Sequence, residues 1–491
     1  MAPPSEKRPQ HIASVEPTAK RHKENAEREV EGEVEGLREK LAAAIAAEKE
    51  AKDQSAATKE GGDGDDSIAP FKGKVGSASD AALASSSNQT GLEAIRTGTV
   101  AAVLMAGGQG TRLGLTGPKG KADIGLPSGR TLFALIAERI HKLRSLASAS
   151  AADNGGDSSD LPSLPLFIMT SPMNHEETEG YFRDNNYFGL PSADVICFRQ
   201  GTLPCVEVEG DDTSTMKIIQ ETADQVARAP DGNGGIFPAL QSTGCLDDMV
   251  KRGIQHLHVF SVDNALVRPA YPAFVGYCIS QKADCGNKSV WRAAPSEKVG
   301  VLVTKDDRPM VVEYSELSAS MASAVDETGK LKYGAANICS HYFSVDFIRN
   351  TVLTASASDI PYHIARKKIP YWDHERSETV TPDKPNGIKL ETFIFDVFPL
   401  SQSMAVWEVE RTDEFAPVKN ANAEGAADTP DTARRLLSNL AEKLLTDAGA
   451  KLHRTGEEEG KALCEIAPAT SYAGEGLEEY SGKVVVSPFS L

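Results

Sequence analysis

Arg112 and Lys119 stand just beyond Gly107, Gly108 and Gly110 in the stretch Ala101–Gly120, AAVLMAGGQGTRLGLTGPKG. Glycines let a ligand lie against the main chain and present its N–H groups to an anion. A guanidinium and an ammonium beside them neutralise negative oxygens. That combination points to a polyphosphate rather than a neutral ligand; the alternative is a glycine turn with no role beyond structure. The dinucleotide fingerprint G-x-G-x-x-G is broken, because Leu113 takes the third place after Gly108 and Gly110, with Gly114 one residue late. The P-loop pattern G-x-x-x-x-G-K-[ST] also fails: Leu115 stands five places before Gly120, and Ala122 follows Lys121.

Other residues could share that chemistry. Asp263 ends the apolar-leaning run His256–Val262. An acid at the carboxyl end of a central strand can hold Mg²⁺ (or Mn²⁺) against a phosphate, or simply cap a turn. Gln200 follows Val195–Arg199, and a buried amide there offers a donor and an acceptor together to a nucleobase edge. Gly232 and Asn233 lie at the tip of a second glycine turn, Ala229–Gly235, which taken alone is only a turn. Lys389 sits among apolar neighbours, where an unpaired ammonium is costly and an anionic ligand accounts for it. Lys419 is a further phosphate candidate, and the competing reading of both is a surface lysine. His256 and His258 share one strand face, yet without a third ligand they read as structural. Phe393 and Phe395 alternate about Ile394 on an expected strand, lining either an acetyl-sized pocket or ordinary core.

A sheet is needed to hold these groups at one edge. Val100–Met105 reads as a buried strand that empties into the glycine turn, and a helix is expected over about Thr131–Leu143. Further strands are expected at Leu166–Thr170, Val195–Arg199, His256–Val262, Gly300–Thr304, Pro309–Val312, Ile338–Ser344 and Val406–Val409, alternating with helical or looped segments as in a mostly parallel α/β sheet. Glu24–Lys52 can form a charged helix with a thin stripe of Val30, Val34, Leu37 and Leu41, docking loosely as an arm. Gly61–Gln89 reads as a flexible linker and Ser148–Leu161 as a surface loop. Thr429-Pro430 starts a helix that Gly449 stops. Lys483–Val486 marks a small β-rich end.

With 491 residues the chain is long enough for two or three domains, and its 40% hydrophobic and 25% charged residues are those of a soluble globular protein. The expected division is a charged helical and flexible segment over 1–95, a catalytic domain over 96–405 and a small domain over 406–491. A formal charge of −18 argues against a general nucleic-acid or membrane-surface binder. No apolar stretch approaches the ~20 residues that span a bilayer. The seven cysteines (Cys197, Cys205, Cys245, Cys278, Cys285, Cys339 and Cys464) form no C-x-x-C, so reduced thiols and a cytoplasmic location are expected.

The sequence resembles the eukaryotic UDP-N-acetylhexosamine pyrophosphorylases from about Gly91 to Leu436. The resemblance is carried by Leu104–Gly114, Pro118-Lys119-Gly120, NYFGL (Asn186–Leu190), QGTLPC (Gln200–Cys205), APDGNGG (Ala229–Gly235), Val262-Asp263-Asn264, EYSE (Glu313–Glu316), NGIKLETFIFDVFP (Asn386–Pro399) and EFAPVKN (Glu414–Asn420), in that order. It implies a Rossmann-like mixed sheet sandwiched by helices, of the nucleotide-diphospho-sugar transferase type, with an N-terminal helical arm and a small β-rich C-terminal domain. It implies that UTP and N-acetylglucosamine 1-phosphate become UDP-N-acetylglucosamine and pyrophosphate, with Arg112, Lys119 and Lys389 in catalysis. UTP contacts would be Met105, Ala106, Gly107, Gly108, Lys119, Gln200, Gly232, Asp263 and Lys389. Sugar contacts would be Asn233, Gly300, Glu313, Tyr314, Asn337, Phe393, Phe395 and Lys419, and Asp263 would hold the metal. Cys339-Ser340 departs from the Ala-Asn common in the family beside Asn337. The expected assembly is a monomer or weak homodimer. The alternatives are a broader uridylyltransferase acting on glucose 1-phosphate, a nucleotide-sugar-binding regulator without turnover and, more distantly, a dehydrogenase.

Overall fold

The computed structural model describes residues 32–50, 67–152, 161–314, 316–356, 359–454 and 463–491. The larger of two compact units holds Ala51–Leu203, Arg228–Ile360 and Glu391–Leu491. Its strands are β1 (Ile68–Pro70), β2 (Lys74–Ser77), β3 (Val100–Met105), β4 (Leu166–Thr170), β5 (Val195–Arg199), β6 (His256–Ser261), β7 (Cys285–Trp291), β8 (Val301–Lys305), β9 (Arg308–Val312), β10 (Ala335–Ser344) and β11 (Met404–Glu408). They form one mixed sheet in the order β2-β11-β7-β10-β6-β3-β4-β5, with β8 joining β10 and pairing with β9 and β1 at the side. The strands β6, β3, β4 and β5 run parallel, whereas β10 is antiparallel to both β6 and β7.

The continuous apolar run of β3 follows from burial on both faces. Val100, Ala102 and Leu104 pack with Phe133, Ile136 and Phe274 on one side. Ala101, Val103 and Met105 pack with Ile236, Phe237 and Leu240 on the other. The helix after the glycine turn covers Leu132–Ala152, longer than expected, so it takes in the first residues of the stretch read as a loop; residues 153–160 of that stretch lie outside the described residues.

The described part of the linker reading is overturned. Lys74–Ser77 pairs with β11 as an edge strand, and Ala81–Arg96 is a helix whose N-cap Asp80 accepts from the Leu83 N–H. Its small residues, read as loop-like, serve a close helix crossing. A Cβ on Gly91 would collide with the Pro272 carbonyl, and one on Gly276 with the Ser87 carbonyl. Helix Pro272–Ser280 thus meets Ala81–Arg96 backbone to backbone. At the other end, residue 406 falls inside β11, which pairs with both β2 and β7 in the main sheet. The helix Pro430–Asp447 beyond it is capped by Thr429, and its Ala433 sits in the main core. Short parallel ladders, Lys451–Arg454 with Val484–Ser487 and Cys464–Glu465 with Phe489–Ser490, follow it.

The smaller unit holds Met1–Glu50, Pro204–Ala227 and Pro361–Leu390. Its four-stranded sheet runs His363–Lys367, Gly387–Glu391, Val206–Glu209, Asp212–Ile218. The helix over 32–50 buries Leu37, Leu41 and Ala44. Glu48 takes Arg366 at 3.0 Å, and Lys40 lies over the Tyr362 ring. The apolar stripe is therefore real where it can be followed; Val30 lies outside the described residues.

Candidate active site

The glycine turn leaves the carboxyl end of β3 and folds back on itself. Gly110 N donates to Gly117 O at 2.9 Å and Lys119 N to Gly108 O at 3.2 Å. These bonds bring Lys119 beneath the turn and leave Gly108 and Arg112 exposed. Met105 and Ala106 are buried at its base. Gln200, 8% exposed, anchors its N–H on Thr170 O, and its Oε1 lies so close to Gly107 that a Cβ there would strike it.

Lys119 Nζ lies 3.6 Å from Asp263 Oδ2, at the end of β6, with both side chains partly sheltered. Burial pushes the Lys119 ammonium below its ordinary pKa. Asp263 opposes that fall, while the charges of Lys419 and Arg112 add to it. Lys119 is therefore paired with one carboxylate and feels two further cations, a field that favours a multiply charged anion. Lys419 is brought there by a strap. Val418 N donates to Asp263 O, Asn264 Nδ2 donates to Glu414 O at 2.7 Å, and Asn264 Oδ1 accepts from Ala416 N at 2.8 Å. Lys419 itself reaches Asp428 at 3.8 Å, and Ala421 N donates to Arg112 O. Beneath the strap, Glu414 is buried between Lys288 at 2.9 Å and Arg268 at 3.2 Å.

The second glycine turn is locked onto Thr392–Ile394, just past the strand Gly387–Glu391. Gly232 has φ +90° and ψ 174°, and a Cβ would run into Thr392 O. This backbone region is essentially restricted to glycine. Gly234 N donates to Thr392 O and Thr392 N to Asp231 O. Asn233 Oδ1 accepts from Ile394 N at 3.0 Å, and its Nδ2 faces Cys339 Sγ at 3.9 Å. Cys339 is half-buried and sits at φ +56° within β10. Burial and the nearby Asp263 push its thiol up to about 12. Asn337 Oδ1 accepts from Cys339 N, while Asn337 N donates to Gly300 O. Gly300 in turn lies against Val311 and Glu313.

The structure thus brings Met105, Ala106, Gly107, Gly108, Gln200, Arg112, Lys119, Asp263 and Lys419 to the carboxyl ends of β3–β6. It also links Gly232, Asn233, Asn337, Gly300 and Glu313 through Cys339 and Thr392. Tyr314 is 42% exposed, and Ser315 lies outside the described residues. Phe393 and Phe395 are not on a strand: Ile394–Leu400 is a 3₁₀ helix, capped by Phe393, and the two rings stack at 5.2 Å. The reason is the Asp396 carboxylate, which accepts from Phe393 N and turns the chain. Lys389 is carried by the smaller unit, half-buried between buried Ile388 and Leu390. His256 and His258 bond Tyr342 and Ser340 at 2.8 Å, as structural residues do.

Among the described residues no group of three His, Cys, Asp or Glu could hold a metal. Asp263 alone still fits Mg²⁺, which is commonly held by one or two carboxylates with substrate phosphates and water. Sequence reasoning missed Asn264, Thr392 and Asn174. Asn264 was adjacent to Asp263 in the V-D-N block; Thr392 acts through its own backbone groups and Asn174 through a carboxamide bonded to Ala106 O and Gly108 O, which no spacing reveals.

Comparison with known proteins places the chain as a whole. Residues 65–444 match the family model described as UTP–glucose-1-phosphate uridylyltransferase. A UDP-N-acetylglucosamine diphosphorylase of Arabidopsis thaliana is 45% identical over 401 residues, covering 79% of this chain and 74% of the relative. A UDP-N-acetylglucosamine pyrophosphorylase of Saccharomyces cerevisiae is 40% identical over 397 residues, 80% of this chain and 78% of the relative. The crystal structure of the enzyme of that class from Trypanosoma brucei, in complex with an inhibitor, aligns with TM-score 0.71 at 30% identity, covering 89% of this chain and 88% of the other. On its sequence, its sheet and its paired glycine turns, the chain belongs to the UDP-N-acetylglucosamine pyrophosphorylases, within the UDP-sugar uridylyltransferase family.

Proposed function

We propose that this protein joins UTP and N-acetylglucosamine 1-phosphate to give UDP-N-acetylglucosamine and pyrophosphate. The observation that carries the reading is the Lys119–Asp263 pair at the mouth of the glycine turn, with Lys419 strapped beside it. The sugar phosphate oxygen attacks the α-phosphorus of UTP in line, and pyrophosphate leaves on the opposite side. A phosphate monoester, with a second pKa near ~6, is already largely dianionic at neutral pH, so no side-chain nucleophile is required. The turn amides, Arg112 and Lys119 take up charge on the departing pyrophosphate. Gln200 reads the base, and Gly232 lets the uridine approach the main chain. Asn233, Gly300, Glu313, Tyr314, Asn337, Phe393, Phe395 and Lys419 hold the N-acetylated sugar and its phosphate. Asp263 would hold Mg²⁺ (or Mn²⁺), which when bound supplies further charge neutralisation at the phosphates. Holding two mutually repelling anions in register can itself account for ~7–11 kcal/mol of the barrier.

The test is pyrophosphate release from UTP and Mg²⁺ with N-acetylglucosamine 1-phosphate or glucose 1-phosphate offered in parallel. Release with the acetylated sugar phosphate alone supports the reading. Equal release with glucose 1-phosphate would make the protein a broader uridylyltransferase, and no release with either would refute the activity.

A further inference from the structure

Asn174 occupies the N-cap position of helix His175–Asp184, yet its side chain accepts no hydrogen bond from that helix. An asparagine in that position ordinarily gives its amide oxygen to an N–H of the first turn. Here the carboxamide faces the other way. Its Nδ2 donates to Ala106 O at 2.9 Å and to Gly108 O at 3.3 Å, and its Oδ1 accepts from Ser171 N at 2.9 Å and Ser171 Oγ at 3.1 Å. The residue is 1% exposed. A helix cap has been given up to hold the two carbonyls that bracket Gly107.

We infer that Asn174 is the positioning residue that sets the anion-binding face of the glycine turn. In a trans peptide the carbonyl and the following N–H point in opposite directions. Holding Ala106 O and Gly108 O against β4 therefore directs the N–H groups of Gly107 and Gln109 to the opposite face. The anchor is rigid. Ser171 and Asn174 fix one another, and the preceding Thr170 hydroxyl donates to Phe198 O and meets His175 Nδ1 at 2.7 Å. Gln200 hangs from the same point through its N–H to Thr170 O. One short turn after β4 thus sets the backbone that meets the phosphates and the amide assigned to the base. Asn174 touches no substrate in this account, and the inference rests on the assignment of the glycine turn to UTP.

The full-length chain is compared with Asn174→Ala and Asn174→Asp. Aspartate keeps both bonds from Ser171 but sets an oxygen against two carbonyls. Both variants are expected to raise the KM for UTP about tenfold or more, as misplaced reacting groups do, with Asn174→Asp at least as impaired. The KM for N-acetylglucosamine 1-phosphate should stay within about twofold, the size of a uniform background change. Amide hydrogen exchange, which needs no turnover, should accelerate over residues 106–112 and stay unchanged in β6 and β10. A UTP KM that either variant leaves at the unsubstituted value would overturn the inference. So would equal rises in both KM values with exchange accelerated throughout the sheet. Failure of the underlying reading is distinct, because it appears as no turnover in the unsubstituted chain.

Discussion

Lys119 is an ammonium whose pKa burial lowers while Asp263, 3.6 Å away, holds it up. A charge-assisted hydrogen bond contributes about 1.5–3 kcal/mol, so Lys119→Ala should lower kcat/KM for UTP by about 10- to 100-fold. Its melting temperature should barely move, because the partner Asp263 is partly solvated. Steady-state kinetics and a thermal scan check both. The depressed pKa of Lys119 adds a pH signature. As pH rises the ammonium is lost earlier than in an ordinary lysine, so kcat/KM for UTP should decline on the alkaline side. Lys119→Arg, which keeps its charge, should push that decline to higher pH; an unshifted limb would show that Lys119 does not titrate there. On the other side of the site, Lys419→Ala should raise the KM for the sugar phosphate and leave that for UTP within about twofold. At this scale the sequence was informative where chemistry is local. The Gly107–Arg112 turn, Lys119 and Asp263 could be picked out because glycines and charges at a strand end have few other uses. Asn174 could not, because an asparagine followed by Glu176 and Glu177 reads as a helix cap, and only the fold shows its amide turned away from the helix.

The elements that carry these residues are held by backbone contacts more than by side-chain volume. Gly232 needs both its φ of +90° and the space against Thr392 O. Gly232→Ala therefore costs ~1–3 kcal/mol in strain alone, and displaces Asn233 from Ile394 N. It should cut kcat/KM by more than tenfold, about what 1.4 kcal/mol supplies; near-normal activity would show that the turn does not shape the site. Most of the sheet strands were legible from their apolar runs, and Val195–Arg199 and Leu166–Thr170 fall where expected, but Cys285–Trp291, broken by Gly286, Asn287 and Lys288, was not. The Phe393–Phe395 segment was not, since its alternating pattern also fits a 3₁₀ turn once Asp396 caps it. Nor was Ala81–Arg96, whose serines, alanines and Gly91 are the composition of a linker and also that of a helix crossing at backbone distance. That second use depends on Pro272–Ser280, far away in the chain.

Across the whole molecule, buried histidines tie stability to pH. Burial holds His256 at about 4 and His341 at about 3, against ~6.5 in an unfolded chain. Between these values the unfolded chain binds more protons, so stability is fully present above about pH 6.5 and is lost as pH falls toward 4. The melting temperature should drop on acidification through this window, and His341→Leu should flatten the slope. An unchanged slope in that variant would remove His341 from the account. The broad α/β architecture could be read from alternating apolar segments, but the way the chain closes could not. Strand Lys74–Ser77 and β11 pair side by side although more than three hundred residues separate them, and the smaller unit is assembled from three separate segments. Such long-range pairing leaves no periodic signal in one sequence. The central claim is transfer of the uridylyl group to the sugar phosphate, and following the label of [α-³²P]UTP in the presence of N-acetylglucosamine 1-phosphate and Mg²⁺ tests it most directly. Label is expected in UDP-N-acetylglucosamine in step with unlabelled pyrophosphate, with Lys119→Ala suppressing both. Label confined to UMP or UDP, or none transferred while UDP-N-acetylglucosamine still binds, would contradict it.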